Sequence, residues 1–155
     1  MDLALAKKES NWKRKRFLDK IFTQKEQLLI KNTINPEVMI WNLWSRKEAV
    51  YKIYNRETKI REYIPLKLVC FYENETKGTV SCNGHIYYTE TVVANDFVYT
   101  VAVVKPDYFS QIEKITPDYK ISKINGIPFA IEDRTLISNP VSITHHGRFW
   151  KGIKL

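Results

Sequence analysis

Cysteine is scarce in this chain: Cys70 and Cys82 are the only two among 155 residues. Two thiols are too few for a disulfide framework, and neither stands near other ligand-type residues in sequence, which excludes a structural zinc pattern. Buried free thiols are expected. Long apolar runs are missing too. No stretch approaches the roughly 20 apolar residues that span a bilayer, and the first residues are too few and too polar for a secretory leader. A cytoplasmic location without membrane attachment is therefore expected. No internal repeat, linker or low-complexity segment divides the sequence, so residues 1–155 read as a single domain, long enough to bury a core. Acidic residues are in deficit, 17 Asp+Glu against 25 Lys+Arg, for a formal net charge of +8. Such a balance favours an acidic partner: nucleic acid, anionic lipid, a phosphorylated ligand or an acidic protein.

What is present is the composition of a folded globular chain, 44% hydrophobic and 27% charged. Asn35 followed by Pro36 is a helix start, a capping side chain before a residue with no N–H to leave unmet. The spacing predicts a helix from about Pro36 to Tyr54. At about 100° per residue, Ile40, Trp41, Leu43, Trp44, Val50, Tyr51 and Tyr54 fall on one broad apolar arc, with Ser45, Arg46, Ala49 and Ile53 opposite. Lys47 and Glu48 land inside the apolar arc and Lys52 at its edge. Any one of these charges could snorkel beside the aromatics. A carboxylate and two ammonium groups gathered on one aromatic-lined face point instead to a site that handles phosphate or metal.

Earlier in the chain, Ser10 and Asn11 can cap a helix carrying Trp12, Phe17, Leu18 and Ile21, and Thr23 with Glu26 forms a capping box for a second, short helix. Lys7, Lys8, Lys13, Arg14, Lys15, Arg16 and Lys20 make this end strongly positive. After the central helix the period changes. Leu66 to Tyr72, Thr79 to Cys82, His85 to Val93 and Phe97 to Val104 read as an antiparallel meander, with turn chemistry between them that includes the Asn83-Gly84 pair. Pro106 to Asp118 reads as a connection with a short helical turn around Phe109 to Ile115. A hairpin about Asn125-Gly126 follows, then a loop across Asp133 to Pro140, then a last strand pair, Val141 to Thr144 and Phe149 to Leu155. The fold class is α+β, with N-terminal helices packed on a mainly antiparallel sheet. With the link His145-His146-Gly147-Arg148 between the last two strands, the stretch from Ser142 to Phe149 gathers hydroxyls, including that of Thr144, imidazoles, a glycine and an arginine at one turn. By itself it reads as an exposed turn, or as a phosphate cradle.

Trp44-Ser45-Arg46-Lys47-Glu48-Ala49-Val50-Tyr51-Lys52 resembles the W-S-x-K-E-A-x-x-K signature of the 4′-phosphopantetheinyl transferases, which move the phosphopantetheine arm of coenzyme A onto a carrier-protein serine. Ser142-Ile143-Thr144-His145 resembles the S-x-[ST]-H segment of the same family. With one K-E-A-x-x-K helix, the chain is closest to the single-repeat holo-acyl-carrier-protein synthases of fatty acid biosynthesis. The resemblance implies Mg²⁺ as cofactor and coenzyme A as co-substrate. It implies an acidic acyl carrier protein as partner and a homo-oligomer, a trimer, as the assembly. By the same token Glu48 is metal ligand and general base, with Lys52 and Lys47 on the phosphates. Thr144, His145 and Arg148 meet the nucleotide end of coenzyme A, and Lys7, Lys8, Lys13, Arg14 and Arg16 receive the carrier protein. Family members open with a strand reading G-x-D whose aspartate is the second metal ligand. The sequence here begins Met1-Asp2-Leu3-Ala4, so either Asp2 takes that role or the ligand and its strand lie upstream of Met1. Two rivals remain: a carrier-protein-binding homologue without catalysis, and a nucleic-acid-binding module that stacks bases on Tyr87, Tyr88, Phe97 and Tyr99. The second shows no recognition motif and leaves Glu48 unexplained.

Overall fold

The computed structural model describes residues 1–131 and 140–155, so most of the loop expected across Asp133 to Pro140 lies outside the described residues. Two compact units are present, Met1–Lys105 and Pro106–Leu155. The class is α+β, as expected. In the first unit, helices α1 (Leu3–Glu9), α2 (Phe17–Ile21), α3 (Gln24–Asn32) and α4 (Pro36–Thr58) precede strands β1 (Val69–Tyr72), β2 (Lys77–Cys82), β3 (His85–Val93) and β4 (Val98–Val103). The strands form one antiparallel meander in the order β1-β2-β3-β4. The second unit opens with a 3₁₀ turn, Pro106–Gln111, and carries β5 (Glu113–Ile115), β6 (Ile121–Ile124), β7 (Ile127–Ala130), β8 (Val141–His146) and β9 (Phe149–Lys154). There β9 pairs with both β5 and β8 in a three-stranded sheet of order β5-β9-β8, and β6 and β7 form a separate hairpin. The helical turn expected around Phe109 to Ile115 is thus a 3₁₀ turn followed by a strand. At both Asn-Gly pairs the backbone is left-handed, φ 49° and 81° at Asn83-Gly84 and 50° and 78° at Asn125-Gly126, the geometry a two-residue hairpin demands.

The first helices depart from expectation. Asp2, not Ser10 or Asn11, is the cap that starts a helix: its carboxylate accepts from the N–H groups of Ala4 and Leu5 at 3.1 and 3.3 Å. Asn11 instead accepts from the Lys13 N–H through its side chain and from the Arg14 N–H through its carbonyl. That local bonding competes with the helix ladder, and Arg16 sits in the left-handed region at φ 65°. Lys13, Arg14 and Arg16 therefore stand in a turn between α1 and α2 rather than along one helix. The helix α4 runs on to Thr58, four residues past the expected end, and stops where Lys59 turns left-handed and its N–H closes on Asn55 O.

The centre of the first unit is α4, packed chiefly on β4. Its Ile40, Leu43 and Val50 are fully buried with Val80 and Val98 of the sheet. The face on which the helical wheel put Arg46 is not a solvent face. Arg46 is 0% exposed, and its guanidinium donates to Lys77 O at 2.8 Å, Asn74 O at 2.9 Å and Glu75 O at 3.0 Å while lying over the Tyr72 ring. One turn earlier Asn42 donates to the same Glu75 carbonyl at 2.8 Å. The turn between β1 and β2 is thereby tied to α4 through its carbonyls, and it closes over the wheel's polar side.

A second polar knot holds the other flank. Thr23 and Glu26 form the expected capping box of α3, but Glu26 does more than cap. Its Oε2 also takes Lys47 Nζ at 2.9 Å and its Oε1 takes the Cys70 N–H at 2.7 Å, both deep in the core. Lys47 completes its three bonds on Ile21 O and Pro65 O, each at 2.9 Å. One carboxylate and one ammonium thus join the end of α2, the start of α3, α4, the 3₁₀ turn Pro65–Lys67 and β1.

The tightness of the Arg46 flank yields a stability test. A Cβ on Gly78 would stand 2.1 Å from Arg46 Nη1 and 2.6 Å from Phe71 O. Gly78→Ala should cost about 1–3 kcal/mol, the usual penalty of overpacking, read as a lowered urea midpoint. An unchanged midpoint would mean that the guanidinium is not confined there.

Candidate active site

The sequence motif puts Glu48 one residue after the buried Lys47, hence about 100° further round α4. That turn carries Glu48 out of the deep core to a half-buried position, where its Oε1 accepts from the Trp44 indole N–H at 2.7 Å. Trp44 is itself held by ring contacts with Phe17 and Trp41, centroids 6.0 Å away in each case. The carboxylate is therefore oriented by a donor that is fixed by packing. Lys52, one turn on, is half-buried. Burial draws its ammonium below the usual lysine range, and the Glu48 charge opposes that shift.

The first residues of the chain come to the same place. Asp2 forms a bridge with Phe97 beside the start of β4, fixed by Val98 N–H to Met1 O at 3.0 Å and Leu3 N–H to Asp96 O at 2.9 Å. The Met1 ammonium donates to Val98 O. Burial lowers its proton affinity, and the charges it feels are Glu48, Lys52 and Asp2. Beside the start of β4, then, the Met1 ammonium feels three of the sequence-predicted residues, Asp2, Glu48 and Lys52. Among the described residues no group of three His, Cys, Asp or Glu is placed to hold a metal ion. Asp2 and Glu48 are the carboxylates of the sequence-predicted set, and Asp2 is also engaged as the cap of α1.

Lys47 is not among them, contrary to the expectation that it meets phosphate or the reacting groups. It is 0% exposed, and all three of its N–H donors are taken by Glu26, Ile21 and Pro65. Reaching a substrate would leave the buried Glu26 carboxylate without its counter-charge. Sequence reasoning missed Glu26 as its partner, although the capping box was the available signal. The thiols are free and buried, as expected, and burial pushes Cys70 far above the usual thiol range, so it has no nucleophilic role.

Elsewhere the predicted residues are dispersed. Lys7 and Lys8 are exposed in the last turn of α1, and Lys13, Arg14 and Arg16 are exposed in the turn that follows. In the second unit β8 continues to His146, so Thr144 and His145 are successive residues of a regular strand paired with Lys151 and Trp150. Successive strand residues point to opposite faces. Thr144 and His145 therefore do not form one cradle, contrary to the reading of this segment as a turn. Arg148 sits at the hairpin end beside Gly147, its guanidinium over the Phe149 ring.

Compared with known proteins, residues 1–102 match the family model described as the 4′-phosphopantetheinyl transferase superfamily. No curated protein and no solved structure matches the chain. The matched stretch contains Asp2, Glu48 and Lys52. Among the described residues no helix is long and apolar enough to cross a membrane.

Division of the two lysines between core and site can be measured. Lys47→Met should cost about 3–5 kcal/mol, because it strands Glu26 without its counter-charge, whereas Lys52→Met should cost clearly less in the same urea titration. Equal losses would show that Lys47 does not carry the core as its bonds indicate.

Proposed function

The chain belongs to the 4′-phosphopantetheinyl transferase superfamily, and from that premise we propose that it transfers the 4′-phosphopantetheine arm of coenzyme A to a serine of an acidic acyl carrier protein. The observation that carries this reading is the Glu48 carboxylate, half-buried and oriented by the Trp44 indole N–H, one helical turn before Lys52 on α4. In the reaction the serine oxygen forms a bond to the β-phosphorus of coenzyme A. The bond from that phosphorus to the bridging oxygen breaks, and adenosine 3′,5′-bisphosphate leaves. Three tasks fall to the protein: offsetting the diphosphate charge, orienting the nucleophile and taking its proton.

Glu48 suits the last task. It is half-buried and oriented by the Trp44 N–H, and it receives the serine proton directly or through a water. Lys52 stands one helical turn away, so its ammonium reaches the phosphates that Glu48 faces. Mg²⁺ held by Asp2 and Glu48 would supply further neutralisation of the diphosphate. Lys47 acts from the core, fixing the roll of α4. We assign the exposed cations Lys7, Lys8, Lys13, Arg14 and Arg16 to the carrier protein, whose attraction mainly raises the association rate and makes it salt-sensitive. Thr144, His145 and Arg148 belong to the same proposal as contacts of the nucleotide end, with Thr144 and His145 acting from opposite faces of their hairpin. So do a holo-acyl-carrier-protein synthase specificity, a trimeric assembly and a cytoplasmic setting.

Glu48→Gln tests the chemistry. It should lower transfer by at least the ~10²–10⁴-fold that a general base supplies without unfolding the chain, read by mass spectrometry of an apo-carrier protein incubated with coenzyme A and Mg²⁺. Near-normal turnover would remove Glu48 from the mechanism. Reversing Arg14 and Arg16 to Glu should weaken carrier-protein binding and leave coenzyme A affinity unchanged. The opposite pattern would mean that the two surfaces are assigned the wrong way round.

A further inference from the structure

The segment after α4 is fastened to that helix by side chains. Asn55 Nδ2 donates to Ile60 O at 2.7 Å, Tyr51 O–H to Arg61 O at 2.7 Å, and Lys47 Nζ to Pro65 O at 2.9 Å. Along this segment Ile60, Glu62 and Ile64 line a small cleft with Tyr54 and Lys67. Tyr63, set between two of them, is not part of that lining. Its ring meets Tyr51 edge-on, with centroids 5.0 Å apart and planes at 69°. Tyr51 follows Glu48 by three residues and so shares its side of α4. After burial itself, the Glu48 charge is the strongest influence on the Tyr63 phenol, and both keep it protonated. A protonated phenol thus stands on the Glu48 side of α4, against the Tyr51 ring.

Among the described residues that donor has no partner: the Tyr63 hydroxyl is buried and makes no hydrogen bond there, although the residue as a whole is only half-buried. Buried hydroxyls are nearly always partnered, because one that meets neither protein nor water costs stability. The core gains nothing from the oxygen that phenylalanine would not supply. We propose that Tyr63 is a further substrate-contacting residue of this site, its hydroxyl donating to an oxygen of the diphosphate that Glu48 and Lys52 handle. The inference rests on the transferase reading above. The hydroxyl is shielded from water in the ligand-free chain, so the ligand must open it. With Arg61 and Pro65 fastened to α4, that opening is a side-chain rotation rather than a backbone change.

Calorimetric titration of wild type and Tyr63→Phe, with coenzyme A and separately with inorganic pyrophosphate, each in the presence of Mg²⁺, tests this. The variant should bind both ligands about tenfold more weakly, while its ligand-free melting midpoint stays equal or rises because the unmet hydroxyl is gone. Equal affinities in the two proteins would overturn the proposal. So would a loss confined to coenzyme A, which would place the contact away from the diphosphate. Transfer to the carrier protein is measured in parallel. A wild type that binds both ligands and transfers nothing would overturn the proposed function and leave the Tyr63 result standing, whereas a wild type that binds neither would overturn both.

Discussion

A buried ammonium and a buried carboxylate, Lys47 and Glu26, are the contact on which the first unit depends. Desolvating two charges is expensive, and their attraction offsets the cost only when geometry is good and the remaining donors and acceptors are met. Here they are met: Lys47 has three acceptors, and Glu26 takes the Thr23 and Cys70 N–H groups besides. Removing any of these partners leaves a charge with no outlet. The pair therefore works as a register device. It admits one roll of α4 against α2, α3 and β1, and that roll places Glu48, the next residue, at the edge of the core.

Much of this frame is legible in sequence because it rests on local chemistry. Asn35-Pro36 starts α4, Thr23 with Glu26 starts α3, and the two Asn-Gly pairs close hairpins, each through bonds or backbone angles set within four residues. The nine-residue stretch from Trp44 to Lys52 identifies the chemistry, and the family match over residues 1–102 agrees with it. What stays hidden is whatever depends on a partner distant in sequence. A helical wheel gives the angle of Arg46 but not that the turn after β1 will close over it, with carbonyls some thirty residues away standing in for water. The same wheel sets Lys47 and Glu48 side by side on the apolar arc and cannot say that Glu26, 21 residues earlier, claims the ammonium.

Other departures have nearer causes. Ser10 and Asn11 are good capping residues, yet Asp2 starts the helix because β4 holds the backbone at Met1 and Leu3 and so presents its carboxylate to the first free N–H groups. Thr144 and His145 read as neighbours in a turn, but the tight link is Gly147 and Arg148, and a strand that continues to His146 imposes its twofold alternation on them. Direction there depends on where the strand ends, which residue types alone do not give.

Along α4 the polar side chains divide by their partners, and the division locates the site. Arg46 and Lys47 are fully buried, and Asn42 nearly so; each donates to main-chain carbonyls, joined by Glu26 in the case of Lys47. Such bonds are directional and internal, so these residues set shape. Glu48 is the exception. It is half-buried, it takes its one hydrogen bond through Oε1, and that donor is a rigid indole rather than a backbone group. A carboxylate held by one oxygen is oriented without being neutralised, which leaves the other for a proton or a cation. The buried bonds of Arg46 and Lys47 beside it fix the helix that presents it.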